Sequence, residues 1–150
     1  MTFGFAVTND TDKLLTNFQL SFTARQWTFT SSRTVPQSLH FEYLVTNKLV
    51  AVSDAGDWDE VDALQFDAVA SLQEAEASGR ADYATGSAFA NLTATLTDRK
   101  LHPGEVLMLR WWSDPVANGE ALGVDDVGLT CFAMSLGTTM RFVKTEREGF

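Results

Sequence analysis

Apolar and polar side chains alternate with a period of two in short runs along this chain. Phe3, Phe5 and Val7 alternate with polar or small residues. Phe18, Leu20, Phe22 and Ala24 alternate with Gln19, Ser21 and Thr23. Phe41, Tyr43 and Val45 repeat the pattern, as do Leu92, Ala94 and Leu96 against Thr93, Thr95 and Thr97. Each run predicts a strand with one buried and one solvated face. Val106–Trp112 is apolar on both faces except for Arg110, which predicts a central strand covered on both sides or one whose outer face binds a ligand. Val127–Met134 and Met140–Val143 complete the set.

Turn signals punctuate the runs: Asn9-Asp10, Asn47-Lys48, Asp54 to Asp57, Asp98 to Lys100, His102 to Gly104, Asn118-Gly119 and Gly137. The spacing predicts an all-β fold, an antiparallel two-sheet β-sandwich of jelly-roll type. Ala68–Gly79 is the one stretch with helical character, and it is expected to be a loop with one or two helical turns. At 150 residues a single domain is expected, burying roughly 70% of its unfolded surface.

Charge narrows the partners. Eleven basic against twenty acidic residues give a formal charge of −9, which opposes binding to nucleic acid or to anionic lipid. No window approaches ~18 uninterrupted apolar residues, so no membrane insertion is expected. Cys131 is the single cysteine. It has no disulfide partner within the chain and is read as a buried thiol. Asn9-Asp10-Thr11 and Asn91-Leu92-Thr93 fit the glycosylation acceptor pattern, as chance allows in a Thr-rich chain.

Catalytic motifs are absent: there is no nucleophile elbow, His-Glu-x-x-His pair, P-loop or dinucleotide fingerprint. The chain is not expected to be an enzyme. Two acidic clusters stand out. Asp54, Asp57, Asp59, Glu60 and Asp62 lack the glycine and terminal glutamate of a calcium loop and read as a solvated turn. Asp114, Asn118, Glu120, Asp125 and Asp126 flank two strands, Val106–Trp112 and Val127–Met134, that the pattern pairs together. These oxygens read either as a structural Ca2+ site or as carboxylates bonding backbone N–H groups. Trp111 and Trp112 are adjacent and point to opposite faces of a strand. Among the tryptophans, Trp27, Trp58 and Trp112 are candidates for stacking on a sugar ring beside Arg25 or Arg110. The competing reading covers them, with one of the adjacent pair under the 68–88 segment.

The order of several segments resembles a bacterial exported jelly-roll domain, similar to MAM domains and to carbohydrate-binding sandwiches, of the kind found in PEP-CTERM and other surface proteins. The resemblance rests on Gly104–Asp114 with its Arg110-Trp111-Trp112-Ser113-Asp114 end, and on the Gly123-Val124-Asp125-Asp126-Val127 strand. Phe5–Thr11, Leu20–Trp27, Phe41-Glu42-Tyr43, and Trp58 with Val61, Leu64 and Phe66 read as a strand extend it. It implies a non-catalytic carbohydrate-binding or surface-recognition module, with polysaccharide or another surface protein as partner. It implies an extracellular or cell-surface location within a longer exported chain. It also implies loop-organising or metal-binding roles for Asp114, Glu120, Asp125 and Asp126. Against the family pattern, the strands that precede Phe3 are expected to be lacking, either because they belong to a longer parent chain or because the Thr138–Thr145 tail fills the vacant edge. The alternative is a structural or adhesive protein-interaction module. A hydrolase using carboxylates is a third class.

Overall fold

The alternating runs become long antiparallel strands, because each has one face that must leave water. The structure is a computed structural model, and it describes residues 1–30, 36–115 and 119–135. In chain order it contains β1 (Thr2–Thr8), β2 (Lys13–Gln26), β3 (Ser38–Thr46), β4 (Asp59–Glu60) and β5 (Phe66–Asp67). The helix α1 (Leu72–Ala77) follows, then β6 (Ala81–Asp82), β7 (Ser87–Leu101), β8 (Val106–Trp112) and β9 (Leu122–Ser135). The first sheet runs β1-β8-β3-β4, with β5 also paired to β3. The second runs β6-β7-β2-β9. All recorded pairings are antiparallel, and the fold is a two-sheet β-sandwich.

The inner faces meet in one core. Phe18, Leu20, Phe22 and Ala24 of β2 pack with Leu39, Phe41 and Tyr43 of β3 and with Leu107, Leu109 and Trp111 of β8. Trp111 contacts Phe22 edge-on and lies stacked on Phe3, with centroids 5.3 and 5.8 Å apart. Asn9 is buried yet fully bonded. Its Nδ2 donates to the carbonyls of Lys13 and Leu101, and its Oδ1 accepts from Thr11. This acceptor-pattern asparagine is therefore a turn organiser between β1 and β2.

Several expectations change. Asp98-Arg99-Lys100 continues β7 instead of turning, because Leu96 and Leu101 are both buried and hold the strand on the core. Trp58 to Phe66 is not one strand: two two-residue bridges flank a 3₁₀ turn at Asp62–Leu64. The strands ending in Trp112 and Met134 do not pair. They lie in different sheets, since β8 fills the space between β1 and β3 while β9 adds to β2. Cys131 is exposed, not buried. The helical turn falls where expected and is capped by a Ser71–Glu74 pair. Ser71 Oγ accepts from the Glu74 N–H, and Glu74 Oε2 accepts from the Ala70 N–H. The expected Met140–Val143 strand, the Thr138–Thr145 tail, Asn118 and Gly137 lie outside the described residues.

Candidate functional site

The strand registers sort the candidate residues onto two opposite outer surfaces. On the first sheet, Trp112 and Arg110 project outward from β8, beside His40 and Glu42 of β3. Arg110 is closed in. Its guanidinium pairs with Glu42 at 2.5–2.6 Å, and Nη1 donates to the carbonyls of Val52 and Asp54 at 3.0 and 3.2 Å. The Trp58 ring lies over it at 3.9 Å, anchored by an indole N–H bond to the Asp54 carbonyl. Trp112 stacks on His40 with centroids 4.3 Å apart, and His40 Nδ1 is 2.8 Å from Glu60 Oε1. Thus segment 52–58, and not 68–88, meets this face. The Arg110 guanidinium is thus already met by the Glu42 carboxylate, by two backbone carbonyls and by the Trp58 ring.

The second sheet differs. Its outward side chains are Ser21, Thr23 and Arg25 of β2, with Phe89, Asn91 and Thr93 opposite them on β7. Arg25 donates to Asp82 of β6 at 3.1 Å and to Ser87 Oγ at 3.3 Å. Its Nε lies 3.6 Å from Asp125 of β9. Hydrogen bonds from Thr85 and then Arg25 hold the Asp82 carboxyl below its ordinary pKa, so it stays ionised. Tyr83 is exposed beside it. A hydrogen bond to Glu76 raises its hydroxyl pKa, so it stays a protonated phenol. Thr23 Oγ1 donates to Asn91 Oδ1 at 2.9 Å. Among the described residues no acceptor meets Asn91 Nδ2, which leaves two donors facing outward.

At the edge, β9 bulges. Asp125 faces Thr23 and Gly128 faces Ser21, so Asp126 and Val127 together oppose Phe22. Asp126 takes φ of 52°, the left-handed region that Asp tolerates better than most residues. The bulge turns Asp126 over the outer surface, where it joins Thr23 and Asn91 in lining two adjoining depressions. Trp27, just past the end of β2, is 46% exposed, and the benzo edge of its indole lies over Gly123. A Cβ at Gly123 would stand 2.9 Å from that ring, so the absence of a side chain lets the ring settle there.

Of the candidates read from sequence, Trp27 and Arg25 therefore share one open surface, whereas Trp58, Trp112 and Arg110 share the opposite, filled one. Asp114 and Glu120 line a hollow at one end with Gln37 and Ser113, while Asp125 and Asp126 lie on the second sheet. No group of three or more His, Cys, Asp or Glu side chains converges among the described residues. In the first acidic cluster, Asp54 caps the Ala51 N–H and Asp59 pairs with Arg99. Tyr83 and Asp82 are not singled out by sequence, whereas Thr23 reads only as a polar position of an alternating strand and Asn91 only as a chance glycosylation acceptor.

This surface offers hydrogen-bond donors and acceptors around an arginine, with the exposed Tyr83 ring beside them and the exposed Trp27 ring over Gly123. Comparison of the chain with protein-family models, with curated proteins and with solved structures finds no match.

Proposed function

We propose that the chain is a non-catalytic carbohydrate-binding module, and that the outer surface of the second sheet is its binding face. One observation carries this reading. Exposed Tyr83 lines a polar trough with Thr23, Arg25, Asp82, Asn91 and Asp126, and exposed Trp27 lies over Gly123, the register partner of Arg25, on the same surface. A pyranose has apolar C–H faces and a rim of hydroxyls. Aromatic rings cover the former, and fixed amide, hydroxyl and carboxylate groups pair with the latter. Arg25 is already oriented by Asp82 and Asp125, so it loses little side-chain freedom on binding. The early-with-late pairings β1–β8 and β2–β7 support the jelly-roll winding expected of such modules. The exported, cell-surface setting is part of the proposal on the strength of the resemblance. Calcium is not carried into it, because the four acidic candidates divide between two places and Asp125 faces Arg25.

A glycan array followed by calorimetric titration tests the reading. Binding is expected, with losses of tenfold or more in Trp27→Ala, Tyr83→Ala and Asn91→Ala at unchanged melting temperature. No binding to any glycan, or equal loss in Trp112→Ala alone, contradicts it. The protein-interaction alternative draws on β9, the last strand of its sheet among the described residues, where Val127, Phe132 and Met134 are exposed. A mass that rises with concentration, in a protein that binds no glycan, favours that alternative.

A further inference from the structure

The two depressions beside β2 share Thr23, Asn91 and Asp126, so they are halves of one continuous trough. One half, about 380 Å³, adds Arg25, Asp82, Tyr83 and Phe89. The other, about 270 Å³, adds Ser21, Phe22, Leu92 and Thr93. From Ser21 to Arg25 the strand advances about 13 Å at ~3.3 Å per residue, longer than a single sugar ring. The first half carries Tyr83, Phe89 and the Arg25–Asp82 pair. The second adds the hydroxyls of Ser21 and Thr93, and Asp126 borders both.

The charges decide what can lie there. Arginine is the usual receiver of a carboxylate or sulfate, through its planar fork. Here Nη1 of Arg25 is taken by Asp82 and Ser87, and Nε faces Asp125. No other basic residue lines either half. Asp126 belongs to both halves, so an anionic group in either would lie near its carboxylate, and at this short range the repulsion persists even across solvent in an open trough. Hydroxyls meet no such penalty. They donate to Asp126 and accept from Asn91 Nδ2 and the hydroxyls of Ser21 and Thr93.

Resting on the glycan-binding reading above, we infer that the trough takes an uncharged oligosaccharide of at least two rings, laid along β2, and turns away glycans bearing carboxylate or sulfate groups. Asp126 is the specificity residue, and Thr93 bounds the second ring's place.

Calorimetric titration with neutral monosaccharides, neutral oligosaccharides and the matching uronate oligosaccharides tests this. Neutral oligosaccharides are expected to bind at least about tenfold more tightly than their uronate counterparts, a difference of ~1.4 kcal/mol. They are also expected to exceed their own monosaccharides. Asp126→Asn keeps a residue that tolerates the left-handed backbone, and it is expected to narrow the neutral-to-uronate ratio. Asp126→Lys is expected to reverse it. Thr93→Lys is expected to lower oligosaccharide affinity to the monosaccharide level. Melting curves of each variant confirm that it is folded. Equal binding of neutral and uronate chains, or a ratio unmoved in both Asp126 variants, overturns the charge selection while leaving glycan binding intact. Equal affinity for one ring and for several overturns the two-ring placement. Failure of every glycan to bind overturns both this inference and the reading beneath it.

Discussion

The two outer surfaces of the sandwich use similar parts to opposite ends. Each has an arginine paired with a carboxylate and a tryptophan nearby. Arg110 is locked to Glu42, to two backbone carbonyls and under Trp58, with side-chain exposures of 16% and 13% for the ion pair. Arg25 is held by Asp82 and approached by Asp125, but Trp27 stands beside the site and not over it. The difference comes from chain length between strands. The segment from Asn47 to Trp58 is long enough to fold back over the first sheet. On the second, α1 packs beside β6 and β7 through Ala75, Ala81 and Ala88, leaving the middle of the sheet bare. The two arginines therefore differ less in their ion pairs than in what lies over them: a tryptophan ring on Arg110 and, among the described residues, none on Arg25.

The largest expected effect separates the two arginines by stability. Arg110→Ala removes one partner of a largely buried ion pair and is expected to cost about 3 kcal/mol in urea unfolding. Arg25→Ala, whose pair with Asp82 is 21% and 26% exposed and has no ring over it among the described residues, is expected to cost less, about 1–2 kcal/mol. Equal losses would break the comparison. A second contrast concerns the covering rings. Trp58→Ala loses its stacking on Arg110 and its indole N–H bond, and about 2 kcal/mol of stability is expected to go with them. Trp27→Ala is expected to leave the melting temperature nearly unchanged and to abolish glycan binding.

A finer probe is Gly123→Ala. The added methyl would displace the half-exposed Trp27 ring, which can move into solvent. Affinity is expected to fall about tenfold, with a small change in stability. The smallest effect is a pH dependence at neither arginine. Hydrogen bonds from Ser38, then Gln65, hold the Asp67 carboxyl below its ordinary pKa in the folded state. A depressed folded pKa gives stability that is present above the unfolded value and lost as pH falls through the folded one. Acid titration of unfolding is therefore expected to show a loss below about pH 4, reduced in Asp67→Asn.

Much of the fold was legible because alternation reports burial directly: Phe18 to Ala24 and Phe41 to Val45 face the core as their parity demands. Sheet membership was not legible. Pairing Trp112 with the Val127–Met134 strand looked natural in sequence, yet β8 had a better place between β1 and β3, whose inner side chains surround Trp111. Arg25 and Trp27 were legible as candidates because they lie two residues apart, on one side of an extended chain. Asn91 and Asp82 were not, since register across 57 to 68 residues brings them to Arg25 and Thr23. No local pattern encodes that distance. Asp126 was flagged for its acidity, but the bulge that turns it toward Thr23 has no sequence mark beyond the glycines at 123 and 128.

If the second sheet's outer surface, and not the first's, meets the ligand, backbone amide shifts recorded during titration with a neutral oligosaccharide will show it. Saturable shifts are expected at Thr23, Arg25, Tyr83, Asn91 and Asp126, with His40, Glu42, Arg110 and Trp112 unmoved. Shifts confined to the latter four, or none at all, would contradict it.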